Sequence, residues 1–274
     1  MTDRGLVIDP DWDWNDLAAM SRELRPFLQE VLDQSDDPLL RHMARNRETL
    51  RPFTLCHGTS CWLQFARSNG GDYLDEATGE AIVNSIHNVQ TFEWLQSHIS
   101  SGDIGFDRMS RTWFDFGAMA MTPGFLSRLR TLNQDGAAFG FAPPPRSPYT
   151  DDSVPLMSTS GYVVSPGSRN IQAALEFLTV ALSPEGQSVT ARELWELPVH
   201  PAADIPSVPG LPAADVIREA MNKARPQQFT GMSQTLPMDL DQFEAMYNGS
   251  MTVNRFLEEA ESALRMALQT HDPF

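Results

Sequence analysis

Behind Asp13, apolar side chains recur every three or four residues at Trp14, Leu17, Ala18, Leu24, Leu28, Val31 and Leu32, the spacing of one helical face. Asp13 is placed to cap that helix, and Asp16 three residues on completes a capping box. Beyond an arginine-rich stretch at 41–51, a short strand is expected around Phe53–Cys56. A helix through Trp62, Leu63, Phe65 and Ala66 follows and ends before Asn69-Gly70-Gly71. Tyr73-Leu74 and Ala81–Val83 flank the turn-rich Asp75–Glu80 and suit a small hairpin. Ile86, Val89, Phe92, Leu95 and Ile99 then mark a helical face stopped by Ser101-Gly102.

The second part repeats this alternation. Strands are expected at Ala118–Thr122, Phe139–Ala142 and Met157–Val164, and a helix opened by Pro123 carries Phe125, Leu126, Leu129 and Leu132. Asn170–Leu182 reads as a helix with Ile171, Ala174, Leu175 and Leu178 on one face. Ser183-Pro184 restarts a helix at once, serine as cap and proline in the first turn. A proline-rich connector, His200–Pro212, leads to a helix on Val216, Ile217, Ala220, Met221 and Ala224. The closing helix carries Val253, Phe256, Leu257, Ala260 and Leu264. Helices dominate, short strands alternate with them, and the fold class is α/β.

Composition narrows the function. The 274 residues are 41% hydrophobic and 20% charged, a globular composition. Acidic residues outnumber basic ones 36 to 20, a formal charge of −16 that disfavours nucleic acid and anionic lipid as partners. Lys223 is the sole lysine, and its neighbours Met221-Asn222-Lys223-Ala224-Arg225 match no lysine-dependent motif. No apolar run approaches the roughly 18 residues of a membrane span. Met1–Asp16 is too acidic for a signal peptide, so the chain is expected in the cytoplasm if Met1 is its true start.

Catalytic chemistry finds no constellation. The histidines are scattered, no His-Glu-x-x-His, Gly-x-Ser-x-Gly or Gly-x-Gly-x-x-Gly motif occurs, and no metal or cofactor is implied. Cys56 and Cys61 are spaced C-x4-C, which is neither a redox motif nor half of a zinc site. Two readings stay open: buried thiols, or a loop-closing disulfide through the turn at Gly58, which needs an oxidising compartment.

Five segments, taken in order, carry a resemblance. They are Asp11-Trp12-Asp13-Trp14-Asn15-Asp16-Leu17; Asn69-Gly70-Gly71-Asp72-Tyr73 with Asn84-Ser85; and Phe114-x-x-Gly117-x-x-Ala120-Met121 with Gly124-Phe125 and Phe139–Pro143. Next come Gly161-Tyr162-Val163-Val164 with Ala173–Leu178, Ser183–Gln187 and Leu197-Pro198, and last Asn248–Thr252 before the closing helix. Together they span almost the whole chain and are similar to extracellular solute-binding proteins of ABC sugar transporters, the maltose-binding-protein type.

The resemblance implies a periplasmic-binding-protein-like II fold, two hinge-linked lobes with solute held between them, and a periplasmic or extracellular location. It implies a small-molecule solute, a sugar, and ABC permease subunits as partners, with no enzymatic activity, nucleic acid or direct membrane insertion. By position in the family pattern, Ser60, Trp62, Phe125, Thr159, Ser160 and Gly161 are the ligand contacts. Trp62 also suits a plain core position, beside Leu63, Phe65 and Ala66. Relatives often carry tryptophan where Phe125 stands, and Leu236–Asp241 lacks the aromatic that relatives add there.

The match begins just before the Trp14 helix, as though most of the first lobe were missing. On that reading 1–157 opens the second lobe, 158–205 crosses into the first, and 206–274 returns. Ile171, Leu175, Phe177 and Leu178 should then lie uncovered. An alternative from another class is a non-transport interaction module binding a partner protein through that crossing-segment face.

Overall fold

The computed structural model describes residues 8–9, 11–38, 40–41, 51–56, 58–107, 114–115, 117–124, 140–158, 161–194, 196–205, 214–226 and 239–270. Two compact units divide the chain. The larger holds Met1–Pro123, Pro143–Met157 and Lys223–Phe274, and the smaller Gly124–Ala142 and Ser158–Asn222.

The larger unit is built on three long helices, the first being α1 (Trp14–Gln34). Asp13 caps it: its Oδ1 accepts from the amides of Asn15 and Asp16 at 2.7 and 2.9 Å, and Asp16 answers by accepting from the Asp13 amide. Trp14, Leu17, Ala18, Leu24, Leu28 and Leu32 are buried as the periodicity predicts. Val31, at the edge of that stripe, is 55% exposed instead.

The strand expected near Phe53 is β1 (Thr54–Leu55), which leads into α2 (Thr59–Ser68). The hairpin forms through an antiparallel bridge between Leu74 and Ala81, with the Asp75 carboxylate accepting from the turn amides of Ala77 and Thr78. α3 (Ile86–Ser100) follows, capped by the Ser85 hydroxyl, then β2 (Gly105–Phe106), parallel to β1. α3 buries Asn88, Thr91, Phe92, Trp94 and Leu95, while Ile86, at its first turn, is exposed. The segment 118–122 contributes one parallel bridge, Met121 to Phe53, rather than a strand. Gly117 precedes it with φ +73°, a left-handed turn that a Cβ would strain.

An aromatic core joins these pieces. Trp14 packs on Phe65 and Trp94 with ring centroids 5.3 Å away in each case. Phe92 packs on Trp62 at 5.4 Å and on Phe256 at 5.5 Å. Phe256 belongs to α8 (Val253–Thr270), whose Val253, Phe256, Leu257, Ala260 and Leu264 are all buried as the spacing predicts. Before it, α7 (Leu240–Tyr247) starts with a capping box between Asp239 and Gln242.

In the smaller unit, α4 (Ile171–Ala181) is followed by α5 (Pro184–Leu194), and Ser183 caps the second by accepting from the Gly186 amide at 3.1 Å. α6 (Ala214–Lys223) closes the unit. The strand expected at 157–164 is reduced to β3 (Leu156–Met157), which pairs in parallel with β4 (Arg225–Pro226), both in the larger unit. Residues 161–164 have no neighbouring strand among the described residues, and an unpaired strand has no ladder to hold it.

α4 buries none of its residues. Ile171, Leu175 and Phe177 are 46%, 49% and 63% exposed, so the uncovered apolar face expected from the sequence is present. Leu178 is half-buried.

Candidate functional site

The β1–α2 connection carries the first group of sequence-predicted contacts. Cys56, just after β1, is bonded to Cys61 in the first turn of α2, their Cα atoms 5.7 Å apart. Of the two readings left open by the spacing, the structure has the disulfide. The bridge holds the chain that bends through Gly58, the N-cap of α2, where no side chain caps the helix. Helix starts of this kind present backbone N–H groups to oxygen-bearing ligands.

Ser60 is half-buried in that first turn. Trp62, one residue past the bridge, is 1% exposed and packed on Phe92. Its indole N–H is buried with no hydrogen-bond partner among the described residues. In this structure Trp62 is a core side chain. Gly161 lies exposed in irregular backbone of the smaller unit, and a Cβ there would meet nothing within 4 Å. Phe125, Thr159 and Ser160 lie outside the described residues.

Sequence reasoning missed the polar framework behind α2. Arg67 Nε donates to Asp72 Oδ2 at 2.9 Å, and Arg67 Nη1 donates to the carbonyl of Pro226 in β4 at 2.5 Å. Arg225 also reaches Asp72 at 3.7 Å and Glu76 at 3.1 Å. Ser68, at the helix end, receives the amide of Val154 on its hydroxyl and the hydroxyl of Thr150 on its carbonyl. Asn69 next to it accepts from the Ser147 hydroxyl at 2.8 Å. These bonds pin the 143–157 segment and the β3–β4 pair to the end of α2. Their only sequence signal is Arg67 and Asp72 five positions apart.

A second charged group ties α1 to the turn after α3. Arg22 donates to Asp103 at 2.8 Å, and His98 Nδ1 lies 2.9 Å from the same carboxylate. The Arg22 bond, joined by those from His98 and Ser101, holds the Asp103 carboxyl well below the usual carboxylate range. Burial pushes the Tyr149 phenol up, and nearby Glu93 adds to it.

An open hollow of about 520 Å³ lies between α3 and the α7–α8 turn, lined in part by Glu93, Gln96, Ser97, Ser100, Thr252 and Asn254. It contains none of the sequence-predicted contacts. On its rim Gln96 and Ser100 donate to the carbonyls of Met246 and Tyr247, tying α3 to the end of α7. Among the described residues no cluster of three His, Cys, Asp or Glu side chains could hold a metal, and no helix is long and apolar enough to cross a membrane.

The described residues form an α/β body with helices on short parallel-paired strands and a disulfide-anchored helix start. The sequence pattern of the bacterial extracellular solute-binding proteins matches residues 3–213, and the chain belongs to that family. No curated protein sequence matches it.

Solved structures share the fold. The maltose/maltodextrin-binding domain MalE from Bdellovibrio bacteriovorus, bound to maltotriose, superposes with a TM-score of 0.66 at 16% identity, covering 97% of this chain and 69% of that one. The GacH receptor of Streptomyces glaucescens gives 0.61 at 18% identity, covering 92% and 68%. An ABC substrate-binding protein from Listeria monocytogenes in complex with cycloalternan gives 0.60 at 17% identity, covering 97% and 66%.

Proposed function

We propose that this chain is the solute-binding component of an ABC importer and that its solute is a sugar. The family match over residues 3–213 carries the reading, and the sugars bound in structures of the same fold support the solute class. The role is capture and delivery to permease subunits, without catalysis. Export is supported by the extracellular nature of the family and by the Cys56–Cys61 bridge, which persists in oxidising compartments.

The residues proposed to contact the sugar are Ser60, Trp62, Phe125, Thr159, Ser160 and Gly161. Ser60 and the neighbouring α2 amides supply hydrogen bonds to hydroxyl oxygens; Phe125 supplies an apolar face for a pyranose ring. Trp62 contributes only if its buried indole N–H turns toward the ligand. The sequence segments 1–157 and 206–274 are proposed as second-lobe material and 158–205 as the crossing segment, which the run Ser158–Asn222 of the smaller unit contains.

Hydrogen exchange with and without maltotriose tests this. The chain spans about two-thirds of the length of the sugar-binding structures, and the sugar is supplied in large excess. Slowed exchange at 58–62 with maltotriose, and not with equimolar glycerol, is the expected result. Unchanged exchange with maltotriose, maltose and mannobiose alike overturns the sugar assignment.

A further inference from the structure

Two Asn-Gly steps occur in the chain, Asn69-Gly70 and Asn248-Gly249. The fold gives both the same backbone. Asn69 is the C-cap of α2 at φ −91° and ψ 6°, and Asn248 the C-cap of α7 at φ −86° and ψ 0°. Each glycine follows at φ +82° and donates its amide three residues back, Gly70 to Arg67 at 3.0 Å and Gly249 to Met246 at 3.1 Å.

The side chains separate them. Asn69 is fully buried: its Nδ2 donates to the His87 carbonyl at 2.9 Å and to Gln90 Oε1 at 3.2 Å. Its Oδ1 accepts from the Ser147 hydroxyl at 2.8 Å, so the amide group is held at both ends. Asn248, Gly249 and Ser250 are all exposed at the tip of the α7–α8 turn. The Asn248 Oδ1 accepts from the Ser250 amide at 2.9 Å, a donor that draws electron density from Cγ. A Cβ on Gly249 would meet nothing within 4 Å, whereas around Gly70 the His87 ring stands 3.7 Å away.

Glycine leaves its own amide nitrogen unhindered, so an Asn-Gly step can close a five-membered ring on the asparagine side chain. Closure requires the asparagine ψ to swing far from these values, which frees the glycine amide from its carbonyl. At an exposed turn that opening is a local fluctuation; at Asn69 it breaks buried bonds first.

We propose that Asn248 is a site of spontaneous covalent modification, converting to aspartate and isoaspartate while Asn69 stays intact. A base takes the Gly249 amide proton, and the nitrogen bonds to Asn248 Cγ. The Cγ–Nδ2 bond breaks, and ammonia leaves with the electron pair and a proton from water. Water then opens the succinimide at either carbonyl. In sum, amide plus water gives carboxylate plus ammonium, with no oxidant, reductant or enzyme. Either product sets a new negative charge at the C-terminal end of α7, the negative end of its dipole.

Incubating the purified chain at mildly alkaline pH, followed by peptide mass spectrometry, tests this. Conversion at Asn248 should outpace that at Asn69 by about tenfold or more, the effect of the buried bonds. It should quicken as pH rises, and a more acidic species should separate on anion exchange. Asn248→Asp should abolish that new species. In guanidinium, where the chain is unfolded, the two asparagines should react alike. Equal rates in the folded chain, an Asn248 that stays unmodified, or a contrast that survives in guanidinium overturns the proposal.

Discussion

Arg67 and Asp72 form an ion pair inside the larger unit, with side chains 0% and 7% exposed and Nε to Oδ2 at 2.9 Å. A buried charge stripped of its partner is far worse placed than a surface one. Asp72→Ala therefore should destabilise the protein by about 3 kcal/mol or more in urea unfolding. Glu76→Ala, which removes only the exposed partner of Arg225, should cost about 1 kcal/mol or less. Equal losses for the two variants would mean that Asp72 is not the keystone of this cluster.

Acid should loosen the attachment of α1. The Asp103 carboxyl is held low in the folded state by Arg22 first, then by His98 and Ser101. A depressed folded pKa gives stability that is fully present above the unfolded value, about 3.9, and is lost as pH falls below it. Arg22 is 62% exposed, so solvent screening keeps the pair's contribution small. Asp103→Asn should flatten the stability profile between about pH 5 and pH 2 relative to the parent, measured by urea midpoints.

Opening the Cys56–Cys61 bridge should act both on stability and on the proposed site. Five positions separate the cysteines, a short loop, and closing one of that size constrains the unfolded chain by about 2 kcal/mol. Cys61→Ser should lower the unfolding free energy by that order and speed hydrogen exchange at 58–62. Faster exchange confined to other segments would detach the bridge from the proposed solute contacts.

Gly71 is held to glycine by its neighbour. A Cβ there would collide with the Asn88 side-chain amide, which donates to the carbonyls of Asp72 at 2.7 Å and Val83 at 2.8 Å. Gly71→Ala should destabilise by about 1–3 kcal/mol through overpacking. In the Asn88→Ala background the two losses should be less than additive, because the clash has gone. Full additivity in thermal denaturation would argue against this contact.

Where local chemistry decides, the sequence was sufficient. Asp13, Ser183 and the buried stripe of α8 stand where periodicity and capping rules put them, because each depends on residues within a few turns. The errors come from distance. The strand expected through Val164 stops at Met157, since β-pairing needs a neighbour that local pattern cannot supply. The Arg67 bond to Pro226 spans 159 positions and leaves no trace in spacing. Ile86 fits the helical face yet is 64% exposed at the first residue of α3, while Asn88 two positions on takes the buried place. For the candidate site, the cysteine pair and Ser60 were visible as a turn before a helix. The apolar neighbours Leu63, Phe65 and Ala66 already suited Trp62 to a core position, and its packing partner Phe92, thirty positions on, shows only with both helices in place.

Leu156 pairs with Arg225 and Met157 with Pro226, so the chain departs for residues 158–222 and comes back at neighbouring points. That excursion is topologically a cassette. Splicing Met157 to Arg225 through a linker of roughly a dozen residues, the minimum for a parallel crossover, removes it without cutting any ladder of the larger body. The same adjacency makes this junction a natural place for grafting a foreign module, since an insert with close-set termini would leave both anchoring strands where they are.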